Sequence, residues 1–328
     1  MIKQYYSPQC LLAVPQRGKV CVLLVLILLM TACQAPLNLE AVNQEQGRAT
    51  HRTDRFEAGT FSGTAIIVVG IGGVVLRSLD GGVSWNRTTL DKGASLIDAA
   101  TCPDGTLAAL QLENAVWIST DNGASWNRRK LQDELTPQAM TCDPLNRIWI
   151  VGGFSTILSS SDRAATWSRQ NDGEDQLLTN IQLQDQDNGV ATGEFGVILH
   201  TRTGGSDWAS GVPLPGEFYP QDTLFVSEKE GRVVGLNGTI LHTQDGGGSW
   251  SREVTETDAA LYGLAKVGDA VYATGNAGTL LRLDEGGWRE LDYGRRATGF
   301  LRVVLGIGNG KLLLAGDGGE LQVVRLGQ

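Results

Sequence analysis

Four aspartates, three histidines and two cysteines recur at positions that could do chemistry. Asp80, Asp121, Asp162 and Asp245 each stand five residues before a tryptophan. A carboxylate at such a site could be a general acid, a nucleophile or a calcium ligand. Calcium, however, needs six to eight converging oxygens, and glycosidic chemistry needs two carboxylates at a set separation. One aspartate per repeat gives neither, because equivalent positions in successive units lie apart. His200 and His242 stand in two copies of Ile-Leu-His-Thr, and with His51 they are all the histidines in the chain. A zinc pair is conceivable, but no third ligand shares the spacing, and both read as repeat positions of a strand. Cys102 and Cys142 each follow a threonine, forty residues apart. An oxidising compartment would permit a disulfide. Equivalent sites on neighbouring units are expected to lie beyond the ~7 Å Cα limit, which favours two buried free thiols. No catalytic residue and no metal or other cofactor is assigned.

The elements that carry these residues repeat. Trp85, Trp126, Trp167, Trp208, Trp250 and Trp288 are spaced by 41, 41, 41, 42 and 38 residues. Ser78, Asp80, Gly82 and Trp85 recur as Ser119, Asp121, Gly123 and Trp126. The third copy keeps Asp162 and Trp167 with Ala164 in the glycine position, and the fifth keeps Asp245, Gly247 and Trp250 behind Thr243. Thr203 replaces the aspartate in the fourth copy, and the sixth is one residue short. A Gly-x-x-Gly turn shares the period, at Gly70/Gly73, Gly193/Gly196, Gly235/Gly238, Gly275/Gly278 and Gly316/Gly319; Gly152 and the 111–114 stretch mark the weaker copies. Seven units of four short apolar strands predict an all-β, seven-bladed β-propeller over residues 48–328. The last unit lacks a tryptophan strand, so residues 49–54 are expected to supply it, closing the ring with an N-terminal strand.

Within the repeat, the aspartate accepts backbone N–H groups of its own turn and the Ser or Thr hydroxyl helps fix it. The glycine supplies a conformation other residues avoid. The tryptophan buries its ring and needs an acceptor for its indole N–H. These are fold residues.

Of 328 residues, 43 are Gly and 9 Pro, 19% are charged and 41% hydrophobic. That excludes a disordered chain. All 36 acidic residues follow position 39, and setting aside Lys3, Arg17 and Lys19 leaves 24 basic residues against them. No basic footprint for nucleic acid results. Residues 1–32 read as a signal peptide: three early cations, then the eleven-residue apolar run 20–30, too short to span a bilayer. The run ends in Met-Thr-Ala-Cys, which resembles a bacterial lipobox, with Cys33 as the lipidated residue. Residues 33–47 read as a lipidated tether. Gln34 rather than Asp after the cysteine implies, by the same resemblance, an outer-membrane lipoprotein that is periplasmic or surface-facing.

The repeats resemble the Asp-box (BNR) repeat, and with the preceding Gly turn they look most like the photosystem II stability/assembly-factor propeller family. The resemblance covers nearly all of residues 50–328. It implies a non-catalytic, lipid-anchored scaffold that binds a membrane protein or envelope complex and assists its assembly or stability, on the thylakoid lumenal side in a photosynthetic source. It also implies an arginine-rich patch; here Arg87, Arg128, Arg129, Arg169, Arg252 and Arg289 follow the repeat tryptophans and fall on outer strands. The alternative is a sialidase-like glycan hydrolase or lectin. The Phe/Tyr-Arg-Ile-Pro motif of sialidases is absent, and sialidase propellers have six blades.

The loops joining second to third strands, and fourth strand to next blade, share one face of a propeller. Phe154, Glu194, Phe195, Asn237, Asn276 and Asp317 are expected there, with Phe218 and Tyr219 on the longest linker, 210–222. Asp133, Glu134, Asp172, Glu174, Asp175, Glu217, Glu256 and Asp258 should make that face acidic. Exposed aromatics beside polar groups suit a protein partner. A monomer is expected.

Overall fold

The computed structural model describes residues 39–131, 135–171 and 175–326. The chain forms two compact units. In the first, a short helix spans Glu40–Gln46 and an ion pair joins Glu45 to Arg48. The sequence reads this stretch as a tether; its Glu and Gln residues favour helix once Glu40 sits in the first turn. Cys33 lies outside the described residues.

The second unit, Ala49–Gln328, is a propeller of seven antiparallel sheets. Its blades cover residues 56–89, 96–130, 137–171, 178–210, 222–253, 261–290 and 301–325. Second and third strands such as Ile66–Gly70 and Ala115–Ser119 are buried throughout rather than alternately. The reason is that both faces of each blade are covered. Ile66 and Val68 pack on Val303 and Leu313 of blade 7, whereas Ile67 and Val69 pack with Leu107 and Ala109 of blade 2. Seven such apolar layers hold the seven blades together, and each buried aliphatic side chain contributes about 1.5–3 kcal/mol. Each repeat tryptophan enters the layer shared with the preceding blade, as Trp126 does beside Ile67 and Trp208 beside Trp149.

The expected closing strand is not there. Among the described residues blade 7 has three strands, and residues 49–54 form bends and a turn. They act instead as the blade-linking loop that precedes blade 1. Gly319 donates to the Asp54 carbonyl, and Arg55 pairs with Asp317. Close approach explains the glycine: a Cβ on Gly319 would meet the His51 carbonyl at 2.2 Å, as one on Gly73 would meet that of Asp91 at 2.1 Å. Asp54 also receives both guanidinium nitrogens of Arg87, at 2.7 and 2.8 Å.

The two thiols are joined. Cys102 and Cys142 form a disulfide with Cα atoms 5.0 Å apart. The expectation of free thiols failed because blades radiate like spokes. Equivalent positions are far apart at the rim but close at the hub, where Cys102 follows the innermost strand of blade 2 and Cys142 ends that of blade 3.

Candidate binding face

The Asp boxes occupy the turns between third and fourth strands. Asp80 Oδ1 accepts from the Ser78 hydroxyl at 2.8 Å and from the N–H groups of Val83 and Ser84 at 3.1 and 2.9 Å; its Oδ2 accepts from the Ser84 hydroxyl at 2.6 Å. Ser78 Oγ in turn accepts the Gly82 N–H at 2.9 Å. Asp121, Asp162 and Asp245 repeat the pattern. Hydroxyl donation, led by Ser125, Thr166 and Ser249, lowers these three carboxyls to about 2, and donation from the Ser84 hydroxyl holds Asp80 well below the usual carboxylate range. Every box carboxylate is satisfied on its own blade. In blade 4, Thr203 substitutes its hydroxyl, accepting the Asp207 N–H at 2.9 Å. The indoles are less uniform than expected. Trp85 donates to the Gly82 carbonyl and Trp288 to Glu253, but the N–H groups of Trp126, Trp167, Trp208 and Trp250 are buried without an acceptor.

His200 and His242 lie on equivalent third strands, in blades 4 and 5. Burial, and then the charge of Arg202, lowers the His200 pKa. His242 Nδ1 lies 3.3 Å from Glu253, itself paired with the buried Arg232. Among the described residues no three His, Cys, Asp or Glu side chains are grouped to hold a metal.

The opposite end of the ring carries the turns between second and third strands. On five consecutive blades each turn lifts one apolar side chain into solvent: Ile71 is 39% exposed, Leu112 38%, Phe154 63%, Phe195 63% and Leu236 51%. Phe154 and Phe195 both adopt φ of 56°. Blades 1 and 7 place Gly72 and Gly318 at the same point, and blade 5 places Asn237 there. For an aromatic residue the left-handed region costs about 1–2 kcal/mol. Glu194 Oε1 accepts the Leu177 N–H at 2.9 Å, tying its turn to the linker before blade 4. Tyr219 is 40% exposed, and partial burial, with the charge of Glu194, raises its pKa. Phe218 is half-buried, its ring filling the space a Cβ on Gly235 would need. Asn237 offers its carbonyl to Arg252; Asn276 caps its own turn through the Ala277 N–H; Asp317 is exposed beside Gly299.

This face is not uniformly acidic. Asp175, Glu217, Glu256 and Asp258 are exposed on it, while Asp133, Glu134, Asp172 and Glu174 lie outside the described residues. The linker into blade 7 instead carries Arg295 and Arg296, and that into blade 1 carries Arg52 and Arg55. Here the sequence reading missed a cluster. Arg55 lies over the Phe300 ring at 5.3 Å and Arg302 over Tyr262 at 5.9 Å, with Tyr262 edge-on to Phe300. Glu57 pairs with Arg55 at 2.6 Å and Arg302 at 3.2 Å.

A repeated bulge builds it. In six blades the pairing register slips directly after the first inner-strand residue. The extra residue, Glu57, Ile97, Gln138, Thr179, Tyr262 or Arg302, then lines a channel cavity of about 320 Å³. Asp98 and Asp222 line it too. Asp98 accepts the Met140 N–H of the next blade at 2.6 Å, and Asp222 the Leu264 N–H at 2.7 Å. Burial pushes them up to about 7 and about 6 against these hydrogen bonds. They stitch adjacent blades at the hub.

Comparison with known proteins follows the same lines. The family "Photosynthesis system II assembly factor YCF48" matches residues 203–323. No curated protein matches the chain in sequence. Among solved structures, YCF48 bound to D1 peptide superposes with a TM-score of 0.72 at 16% identity, over 85% of this chain and 94% of that one. YCF48 from Cyanidioschyzon merolae gives 0.69 at 17%, over 84% and 96%. Virginiamycin B lyase from Staphylococcus aureus, an enzyme, gives 0.73 at 14%, over 86% and 97%. At these identities the likeness is one of fold. In repeat and in architecture, the chain is a seven-bladed propeller similar to the photosystem II assembly-factor family.

Proposed function

We propose that the chain is a non-catalytic scaffold, anchored through lipidated Cys33 at the outer membrane, that holds part of a membrane protein complex on its turn face while the complex assembles or persists. The observation that carries this reading is the exposure of Phe154, Phe195 and Tyr219 on one face of a ring similar to YCF48, which has been solved with a D1 peptide. The Cys102–Cys142 disulfide supports an oxidising compartment. In a photosynthetic source the partner would be a photosystem II subunit at the lumenal side. Otherwise it would be an envelope complex. The lyase neighbours mark the ring as one that also hosts catalysis in other proteins. In this chain Asp98 and Asp222 spend their oxygens on backbone N–H groups, which favours binding over chemistry.

The test is crosslinking capture from the native envelope, with the full lipoprotein and a Phe195→Ala, Tyr219→Ala version as baits. One membrane protein recovered by the first and lost by the second is expected. Equal recovery would move the binding face elsewhere, and no specific protein from either bait would remove the scaffold reading. Cys33→Ser should release the mature chain from membranes; continued membrane association would count against the anchor.

A further inference from the structure

The five turn-tip side chains form an apolar crescent over blades 1 to 5, and the turns and linkers around it are mainly acidic. Among the described residues, the turns of these blades and the linkers between them carry Asp91, Glu113, Asp175, Glu194 and Glu217 against Lys92 alone. At the adjoining outer strands Lys130 ends beside the blade 2 turn, Arg169 donates to the Thr156 hydroxyl and Arg252 to the Asn237 carbonyl, and the remaining arginines of this face belong to the linkers on either side of blade 7. Folding does not require the two phenylalanines. They sit in solvent, in a backbone conformation that glycine or asparagine adopts more cheaply at the same point of other blades. Large apolar side chains exposed together on one face with a polar rim mark an interaction site. We infer that the crescent docks a basic, apolar segment of a partner protein, one whose hydrophobic side chains seat between the turn tips while its lysines or arginines meet the carboxylate rim. The inference rests on the turn face being the binding face, and adds the chemistry of what it binds.

Phe154→Asn, Phe195→Asn separates the roles, since asparagine already takes φ of 54° at Asn237. The probes are a labelled peptide of alternating leucine and lysine, its leucine–glutamate counterpart, and phosphatidylcholine vesicles containing phosphatidylglycerol. The full chain should bind the lysine peptide, more weakly as salt rises, and discriminate against the glutamate peptide. The double variant should keep or raise its melting temperature and bind at least about tenfold more weakly. Glu194→Gln, Glu217→Gln, with the rings untouched, should weaken the lysine peptide alone. Equal binding of both peptides, unchanged binding by the double variant, or a loss on substitution seen only with vesicles would overturn the inference. If peptide binding failed while envelope capture of a membrane protein persisted, the scaffold reading would stand and only the occupant's chemistry would fall.

Discussion

The two ends of each blade are built on opposite rules. At the Asp-box end, sequence repeats and each of the four box aspartates is consumed by its own turn. At the other end, glycines fix the backbone where linkers press on it, while the turn tips differ from blade to blade. Repetition marks what every blade needs in order to fold. Variation marks what only the whole ring can use, because a surface assembled from different tips exists only once the blades are in place.

Substitutions can sharpen that contrast. The largest effect is expected at Asp143, fully buried in the inner turn of blade 3. It accepts from the N–H groups of Leu145 and Arg147, the Arg147 guanidinium and the Trp149 indole. Asp143→Ala should cost about 3–5 kcal/mol in a denaturant titration, since it strands a cation and several donors. Next comes the hub disulfide. Closing a forty-residue loop is worth about 2–4 kcal/mol, so Cys102→Ser, Cys142→Ser should lower the melting temperature clearly, and added reductant should then change nothing.

The pH profile tests the hub carboxyls. Asp98 and Asp222 have folded pKa values above the ordinary carboxylate value, so their protonated forms favour the native state. That stabilisation is full below about pH 4 and is lost as pH rises through about 6 to 7, at about 1.4 kcal/mol per unit of displacement. The box aspartates act oppositely: their contribution is present above about pH 4 and lost as pH falls through about 2. Thermal melts should therefore rise from pH 7.5 to about 5 and fall below 4. A flat profile between 5 and 7.5 would remove the hub carboxyls from the account.

Smaller effects belong to single boxes. Ser119→Ala removes the acceptor of the Gly123 N–H and a donor to Asp121, and should cost about 1 kcal/mol. Thr203→Asp, which restores the missing carboxylate, should raise the melting temperature slightly. At the turn end Ala277, at φ of 52°, should accept glycine with a gain of about 0.5 kcal/mol or no change. A large loss there would mean the turn tips are structural after all.

The blades, their order and the residues of the boxes were legible because period and residue type encode them directly. Radial distance was not. Nothing in a forty-residue spacing says that Cys102 and Cys142 meet at the hub rather than part at the rim. The Arg55, Tyr262, Phe300 and Arg302 cluster was hidden for a related reason. Its members come from linkers and bulges, where the repeat imposes position but no residue type, so only the folded ring brings them together. Phe218 shows the converse: an aromatic on a long linker, read as exposed, fills the space left by Gly235.

The three-stranded seventh blade has a mechanical meaning. Between other neighbours the chain itself crosses from blade to blade. Where blade 7 meets blade 1, the described residues join through side-chain packing, from Phe56 and Leu76 to Val303 and Leu313, through the Glu57–Arg302 ion pair, and through the clasp of residues 54–55 on Asp317 and Gly319. The ring is thus a split washer rather than a hoop. Its compliance is gathered at one joint, and a load that spreads the channel will open it there without peeling any strand from its sheet.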